Sequence, residues 1–380
     1  MIVETVFSDA RIVTPDAVIA GAVVVRDGRI VEIADASVQG GERMDGDYLL
    51  PGLIELHAGN LERYLCPRPG VSWGSLSALL AHDAQVATSG ITTAFDAVGI
   101  ATLCLEDDTR LAALDEMFVI ARKARDSGIL RADHLFHLRC EIGHPAVLAR
   151  VERVIDDPHI RLVSVMDHTP GQRQFIREDK FREYYRGMLG FNDFEFDACI
   201  ATLRERHEVL APANRGGVVT MCRSRGIAMA SHDDGTAEQV AEAIKDGMVV
   251  AEFPTTVEAA LLSRQGGMKV EMGAPNLVRG GSHSGNVSAR AVAAAGLLDI
   301  VSSDYVPFSL IESLFKIAAD FDEVNLAAAV RMASWTPAET IGLDDRGAIL
   351  VGRRADLVRV AVVGGQPIVR SVWREGRRVA

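Results

Sequence analysis

The chain has 380 residues, 48% of them hydrophobic, with a formal net charge of −12 and a pI near 5.4. That length buries a large core, as two or three domain-sized units or as one large α/β barrel with a small accessory domain. The acidic balance argues against a general nucleic-acid or membrane-surface binder, whose partners are anionic, but leaves room for a small anionic substrate in a local basic pocket.

The opening MIVETVFSDA has an early glutamate and no basic stretch, so it does not read as a signal peptide. The run AVIAGAVVV at 17–25 falls far short of the roughly 20 apolar residues a membrane-spanning helix needs. Residues 1–50 read as β: VETVF, ARIV, AGAVVV and RIVEIA are rich in β-branched residues and separated by turns. In VVVRDGRIVEI, Asp-Gly between two apolar runs is a hairpin signal. The last 35 or so residues look similar, with ADLVRVAVV, PIVRSVW and a Glu375-Gly376 turn. A composite β-sandwich domain built from residues 1–50 and 343–380 is the economical expectation.

Residues 51–342 alternate short apolar runs with helical patterns. The expected strands are YLLPGLIELH, ITTAFDAV, HLFHLRCE, IRLVSVMDH, IAMASHDD, MVVAEFP, MKVEMGA and LLDIVSSD. Amphipathic stretches such as LDEMFVIARKARDSG and FDACIATLRERHEVLAPANRGGVVTMCRSRG lie between them. Eight near-continuously apolar strands with helical crossovers predict a TIM-type (β/α)8 barrel, with a doubly wound sheet as the competing arrangement. Five cysteines, far apart and without a CxxC pair, argue against a disulfide framework or zinc knuckle and fit a reducing cytoplasm.

The expected strands end in chemistry. Their last residues include His57, Glu141, Asp167 and His168, His232 with Asp233 and Asp234, Glu252 and Asp304. Taken singly, each could pack, pair or cap; Glu141 could pair with Arg139, and Asp233 or Asp234 could cap the next helix. In a barrel, however, strand ends meet at one face. Three histidines, a glutamate and an aspartate gathered there form a ligand set for Zn²⁺, Mn²⁺ or Fe²⁺. Such an ion makes a water nucleophile available near neutral pH, and Asp304 could ligate it, orient the water and take its proton.

Other segments suggest anion binding. GAPNLVRGGSHSGNVSA at 273–289 is Gly-rich and carries Arg279, Ser282, His283, Ser284 and Asn286 ahead of a helical pattern. Backbone N–H groups in such a loop can cradle phosphate, although the spacing matches neither a Walker A nor a GxGxxG pattern. Gln172 and Arg173 follow His168, and Arg63 and Arg68 follow His57. Arginine forks suit phosphate oxygens. Arg182 and Arg186 read as ordinary surface charge.

PGLIELH, a β-rich unit from both ends and the late GRRADLVRV resemble the amidohydrolase superfamily. HLRCE, SVMDHTPGQRQF, ASHDDGT, AEFPTT, GAPNLVRGGSHSGN and SSDYVP together resemble one family in it, the alpha-D-ribose 1-methylphosphonate 5-triphosphate diphosphatases of the carbon–phosphorus lyase pathway. The resemblance spans nearly the whole chain. It implies a metal-dependent barrel hydrolase of phosphonate metabolism that cleaves a ribosyl 5-triphosphate to the 5-phosphate and pyrophosphate. The implied ligands are His57, Glu141, His168, His232 and Asp304, with Asp304 also the base. Glu141 takes the place that many superfamily members give a carboxylated lysine. The implied cofactor is one or two divalent ions, zinc foremost, with manganese or iron as alternatives.

One position departs from the pattern. The superfamily usually has His-x-His at the first strand and the diphosphatases resemble His-x-Asp-Asn, whereas this chain has His57-Ala58-Gly59-Asn60. Three arrangements fit: water or Asn60 fills the vacancy, the site is mononuclear, or the metal site is weakened. Functional alternatives are a C–N or ester hydrolase of the wider superfamily and a degenerate, non-catalytic member. The expected partner is a small phosphorylated substrate, with no nucleic acid or membrane, in the cytoplasm; a homo-oligomer is compatible with the sequence.

Overall fold

Two eight-stranded sheets divide the chain in the computed structural model, which describes residues 4–34, 41–68, 71, 73–101, 108–282 and 285–380. The first sheet begins with β1 (Glu4–Val13), β2 (Val18–Arg26), β3 (Arg29–Ala34), β4 (Glu42–Arg43) and β5 (Tyr48–Pro51). The second consists of β6 (Leu53–Ala58), β7 (Ile91–Gly99), β8 (Asp133–Glu141), β9 (Ile160–Met166), β10 (Ala228–His232), β11 (Val250–Glu252), β12 (Lys269–Gly273) and β13 (Ile300–Ser302). The chain then returns to the first sheet through β14 (Leu357–Val363), β15 (Gln366–Arg374) and β16 (Arg377–Arg378).

In the first sheet β5 pairs antiparallel with β14, so both ends of the chain share one mixed sheet. The expected hairpin is there: Asp27 and Gly28 both have positive φ, 49° and 78°, as the favoured two-residue turn requires. Phe7 meets Trp373 edge-on at 4.8 Å and joins N-terminal and C-terminal strands in one apolar core.

All pairings in the second sheet are parallel, in chain order from β6 to β13. The ring closes where the two end strands meet. Gly59 N donates to Asp304 O at 2.7 Å, and Ser303 N donates to Glu55 Oε2 at 2.5 Å. This is the expected parallel barrel, and seven of the expected strands lie in it, while the eighth, YLLPGLIELH, divides at Gly52: Tyr48–Pro51 is β5 of the first sheet and only Leu53–Ala58 enters the barrel. Ile54, Leu56, Phe95, Leu162, Ala230, Val250 and Ile300 cluster as an apolar floor. Further along the same strands the buried residues are polar: His57, His137, Ser164, His232, Glu252, Glu271 and Ser302. The barrel therefore has a greasy base and a charged mouth.

The helices brace that mouth. The long amphipathic stretch is a single helix, Asp193–Arg225, opened by a capping box between Asn192 and Glu195. From it Asn214 Nδ2 donates to Ile142 O (2.7 Å) and His144 O (3.1 Å), fixing the turn just past Glu141. His207 Nδ1 lies 2.6 Å from Asp167 Oδ2 at the end of β9. The expectation that Asp233 or Asp234 caps the next helix does not hold. The N-cap of Ala237–Lys245 is Thr236, whose side chain accepts from Gln239 N. The two aspartates are held elsewhere, by His232 and Arg173.

Candidate active site

Five strand ends bring three imidazoles and their carboxylates together. His57 and His232 have ring centroids 5.9 Å apart, and His232 and His168 5.5 Å. Each uses Nδ1 on a carboxylate. His57 Nδ1 is 3.0 Å from Glu252 Oε1, His168 Nδ1 is 2.7 Å from Glu141 Oε2, and His232 Nδ1 is 2.6 Å from Asp233 Oδ2. Glu141 Oε1 also accepts from His168 N at 3.1 Å. A carboxylate on one ring nitrogen fixes the tautomer and orientation of an imidazole and raises the basicity of the other nitrogen.

Backbone strain puts these groups where they are. A regular strand alternates its side chains, so neighbours cannot share a face. Asp233, Phe253 and Asp304, which follow β10, β11 and β13, have φ of 57°, 53° and 53°, in a region that non-glycine residues rarely occupy. The twist after β10 lets His232 and Asp233 serve one site. Phe253 packs its ring 5.1 Å from His57 and 5.4 Å from His232, walling the imidazoles off from one side. Two register shifts in β6 accompany the placement of Glu55 and His57.

The electrostatics follow from burial. His57 is pushed well below the ordinary histidine range by burial and by the Arg139 charge, which keeps it neutral and available as a ligand. Burial also opposes a charge on His232, but Asp233 outweighs it and lifts that pKa. Glu55 is raised to about 7 by burial, although the N–H groups of Ser303 and His57 donate to it. Glu271 is raised well above the carboxylate range by burial and by the neighbouring Glu252 and Glu55.

The donor set fits a divalent ion. His232 Nε2 and Glu252 Oε2 are buried without a partner, and one donor atom from each of His168, His232 and Asp233 falls within 4.8 Å of the others. His57, His137 and Glu252 form a second such group. Imidazole and carboxylate together are what zinc, manganese and iron select. Gly59 faces Asp304: a Cβ built there would lie 3.2 Å from Asp304 O and 3.6 Å from Asp304 Oδ1. Gly273 stands on the other side, its Cβ direction 3.9 Å from Asp304 Oδ2. Two glycines thus leave the Asp304 carboxylate uncrowded.

The residues expected to bind substrate differ in their surroundings. Arg63 is exposed and lies over the ring of Tyr305, 5.6 Å from its centroid, beside Asp304. Arg68 and Arg279 are exposed, the latter in the last turn of the short helix Ala274–Arg279. Gln172 and Ser282 are half-buried. Asn286 Nδ2 reaches Gln174 O at 3.5 Å and joins the loops after β12 and β9. His283 lies outside the described residues. Arg173 is buried; its guanidinium binds Asp234 and, at 3.2 Å, His232 O, so it fastens the loop after β9 to the end of β10. Arg182 and Arg186 pair with Glu178, Asp197 and Asp193.

Sequence reasoning missed His137, Arg139, Glu55 and Glu271. His137 Nδ1 faces Leu56 O at 2.9 Å and its Nε2 faces Ser164 Oγ at 2.8 Å. The signal for two of them was present, since His137, Arg139 and Glu141 follow one another at a period of two on β8. Lone acids inside the apolar strands ELH and VEM were the signal for the other two.

Comparison with known proteins agrees with this geometry. The profile of the amidohydrolase family matches residues 200–379, and that of the allantoinase composite domain matches residues 7–47. An amidohydrolase from a Sargasso Sea environmental sample has a similar fold (TM-score 0.64, 15% identity, 100% of this chain and 93% of the other). So does N-acetylglucosamine-6-phosphate deacetylase from Pasteurella multocida (TM-score 0.62, 15% identity, 99% of both chains). The protein is a barrel hydrolase of the amidohydrolase superfamily, whose members use divalent metals. It is also 44% identical over 381 residues to the alpha-D-ribose 1-methylphosphonate 5-triphosphate diphosphatase of Escherichia coli (strain K12), covering 98% of this chain and 100% of that one. It belongs to that diphosphatase family. Among the described residues no helix is long and apolar enough to cross a membrane.

Proposed function

We propose that the protein hydrolyses the anhydride between the α and β phosphates of alpha-D-ribose 1-methylphosphonate 5-triphosphate, releasing the 5-phosphate and pyrophosphate. The observation that carries this is the 44% identity to a diphosphatase of that name over its whole length. The strand-end cluster supplies the matching chemistry. His57, Glu141, His168, His232 and Asp304 would hold the divalent ion, with zinc foremost and manganese or iron as alternatives. One or two ions are compatible with the donor set, and Gly59 withdraws one donor from the His57 side. When bound, the ion contributes Lewis acidity, easing removal of a proton from water and drawing charge off a phosphate oxygen.

The chain's own residues do the rest. Asp304, set between Gly59 and Gly273, takes a proton from the attacking water. The water oxygen forms its bond to phosphorus as the bridging P–O bond breaks, and the electron pair leaves on the departing phosphate oxygen. Glu252, Glu141 and Asp233 hold the imidazoles in one orientation through Nδ1. Arg63, Arg68 and Arg279 at the rim, with Gln172, Ser282, His283 and Asn286, receive the phosphates and sugar. Arg173 acts indirectly, by fixing the loop. A reducing cytoplasm suits a chain in which the described cysteines form no disulfide.

The test is pyrophosphate release from the ribosyl triphosphate before chelation, after chelation and after adding back zinc, manganese or iron. The proposal predicts loss on chelation and recovery with at least one ion. Undiminished turnover after all metal is removed would refute the metal-dependent mechanism.

A further inference from the structure

Arg139 stands out among the cations of the barrel wall: it is half-buried, and its Nε is fully enclosed. On β8 it lies at an alternate position between His137 and Glu141, so all three share one face of the strand. That face looks into the charged mouth: His137 Nε2 is 3.7 Å from Glu252 Oε1, and Glu141 holds His168.

The partners of Arg139 are missing. Arg215 Nε meets Asp246 at 2.7 Å and Arg354 Nη2 meets Asp356 at 2.9 Å, while Arg173 is held by Asp234. For Arg139 no carboxylate among the described residues comes within ion-pair distance, and its Nε is buried without a hydrogen-bond partner. Arginine does not discharge to escape such a setting. A buried N–H left without an acceptor is costly, and an anion against the guanidinium would supply one. The rim arginines expected from sequence are solvated or stacked, so they do not meet this description.

We infer that Arg139 is the interior phosphate-binding residue of the site: its N–H fork takes non-bridging oxygens of the phosphoryl groups flanking the anhydride to be cleaved. This rests on the triphosphate reading above and adds to it a specific contact from the barrel wall. A planar fork engages two oxygens at once, which a lysine cannot do. The guanidinium also offsets phosphate charge beside the imidazoles of the site.

The experiment is calorimetric binding of inorganic pyrophosphate to the metal-loaded wild type, Arg139→Gln and Arg139→Lys, each checked for fold and metal content. Pyrophosphate is the product side of the anhydride, and its binding requires no turnover. Loss of a charge-assisted pair predicts a Kd raised by about 10- to 100-fold in Arg139→Gln, at unchanged metal content. Arg139→Lys keeps the charge without the fork and is predicted to weaken binding by about three- to tenfold. Should Arg139→Gln not fold, Arg139→Lys decides alone. Wild-type affinity in a folded variant, no pyrophosphate binding by the wild type, or weakening that only follows loss of metal would each overturn the assignment. Pyrophosphate binding that depends on Arg139, in a protein that hydrolyses no triphosphate, would sustain the assignment and remove the hydrolytic reading instead.

Discussion

At the scale of single residues, the site is a set of imidazoles aimed by carboxylates, closed by one aspartate in strained backbone. Asp304 has a φ of 53° and its carbonyl accepts from Gly59 N at 2.7 Å, so its geometry is fixed by the seam of the barrel. Asp304→Asn keeps the volume and removes the base. Pyrophosphate release is expected to fall by about 10²- to 10⁴-fold with the thermal midpoint little changed. Activity within a few-fold of wild type would show that Asp304 is not the base. Gly59→Ala tests the seam. The added Cβ would sit 3.2 Å from Asp304 O and displace it by a few tenths of an ångström. Misplacement on that scale predicts a loss in kcat of about three- to tenfold, with bound metal unchanged. An unaltered kcat would mean that Asp304 tolerates movement.

Much of this was legible in the sequence, because polar residues at the ends of apolar runs converge in a barrel wherever they fall in the chain. The pairings were not legible. Asp233 bonds His232 only because its backbone turns left-handed, which no pattern of apolar residues reports. Arg173 finds Asp234 across 61 positions, a tertiary choice between two plausible partners.

At the scale of elements, a second histidine network sits away from the mouth, between β7, β8 and the helix Ser75–Thr88. Asp96 bridges His82 Nε2 (2.7 Å) and His134 Nδ1 (2.8 Å), and His134 Nε2 faces Asp83 Oδ1 at 3.3 Å. Asp83 also accepts from Arg131 N and Ala132 N, tying the helix to the start of β8. All of these side chains are fully buried. Burial opposes a charge on His134, but Asp96 and Asp83 outweigh it and raise its pKa to about 10. The same contacts lower Asp96 and Asp83 despite burial.

The raised histidine contributes stability that is fully present below its unfolded pKa of about 6.5 and is lost as pH rises through about 10. The depressed aspartates contribute stability present above their unfolded values and lost as pH falls through the folded ones. The urea midpoint of the wild type is therefore expected to decline from pH 7 to pH 10. His134→Gln should be less stable at neutral pH but flatter across that interval. Equal slopes would show that His134 carries no proton in the folded state. The sequence placed β7 and β8 but singled out no helix at 75–88. It did not separate His134 from His137, because both lie on β8 and only the strand face sends one outward and the other to the mouth.

At the scale of the molecule, the barrel and the terminal sheet are pinned by one acid. Asp133, the first residue of β8, receives Arg346 Nη1 at 2.7 Å, Arg354 Nη1 at 2.8 Å and Arg374 Nη1 at 3.1 Å. These arginines come from the C-terminal segment, so one carboxylate joins β8 to β15 and to the loops leading into β14. Asp133→Asn leaves three cations competing for a neutral amide. Because the group is partly exposed, the expected loss is moderate, about 2 kcal/mol of unfolding free energy, read from the fall in urea midpoint at constant slope. No change would mean that the other contacts between the two parts suffice to join them. The β-rich ends were readable from composition, but this ionic joint was not, since its members lie more than two hundred positions apart.

The reaction itself is the central claim, and phosphorus NMR of the metal-loaded protein with alpha-D-ribose 1-methylphosphonate 5-triphosphate tests it most directly. The account predicts equal amounts of the 5-phosphate monoester and pyrophosphate, with the methylphosphonate resonance intact. Release of inorganic phosphate with a 5-diphosphate, or an unchanged triphosphate in protein shown to hold metal, would contradict it.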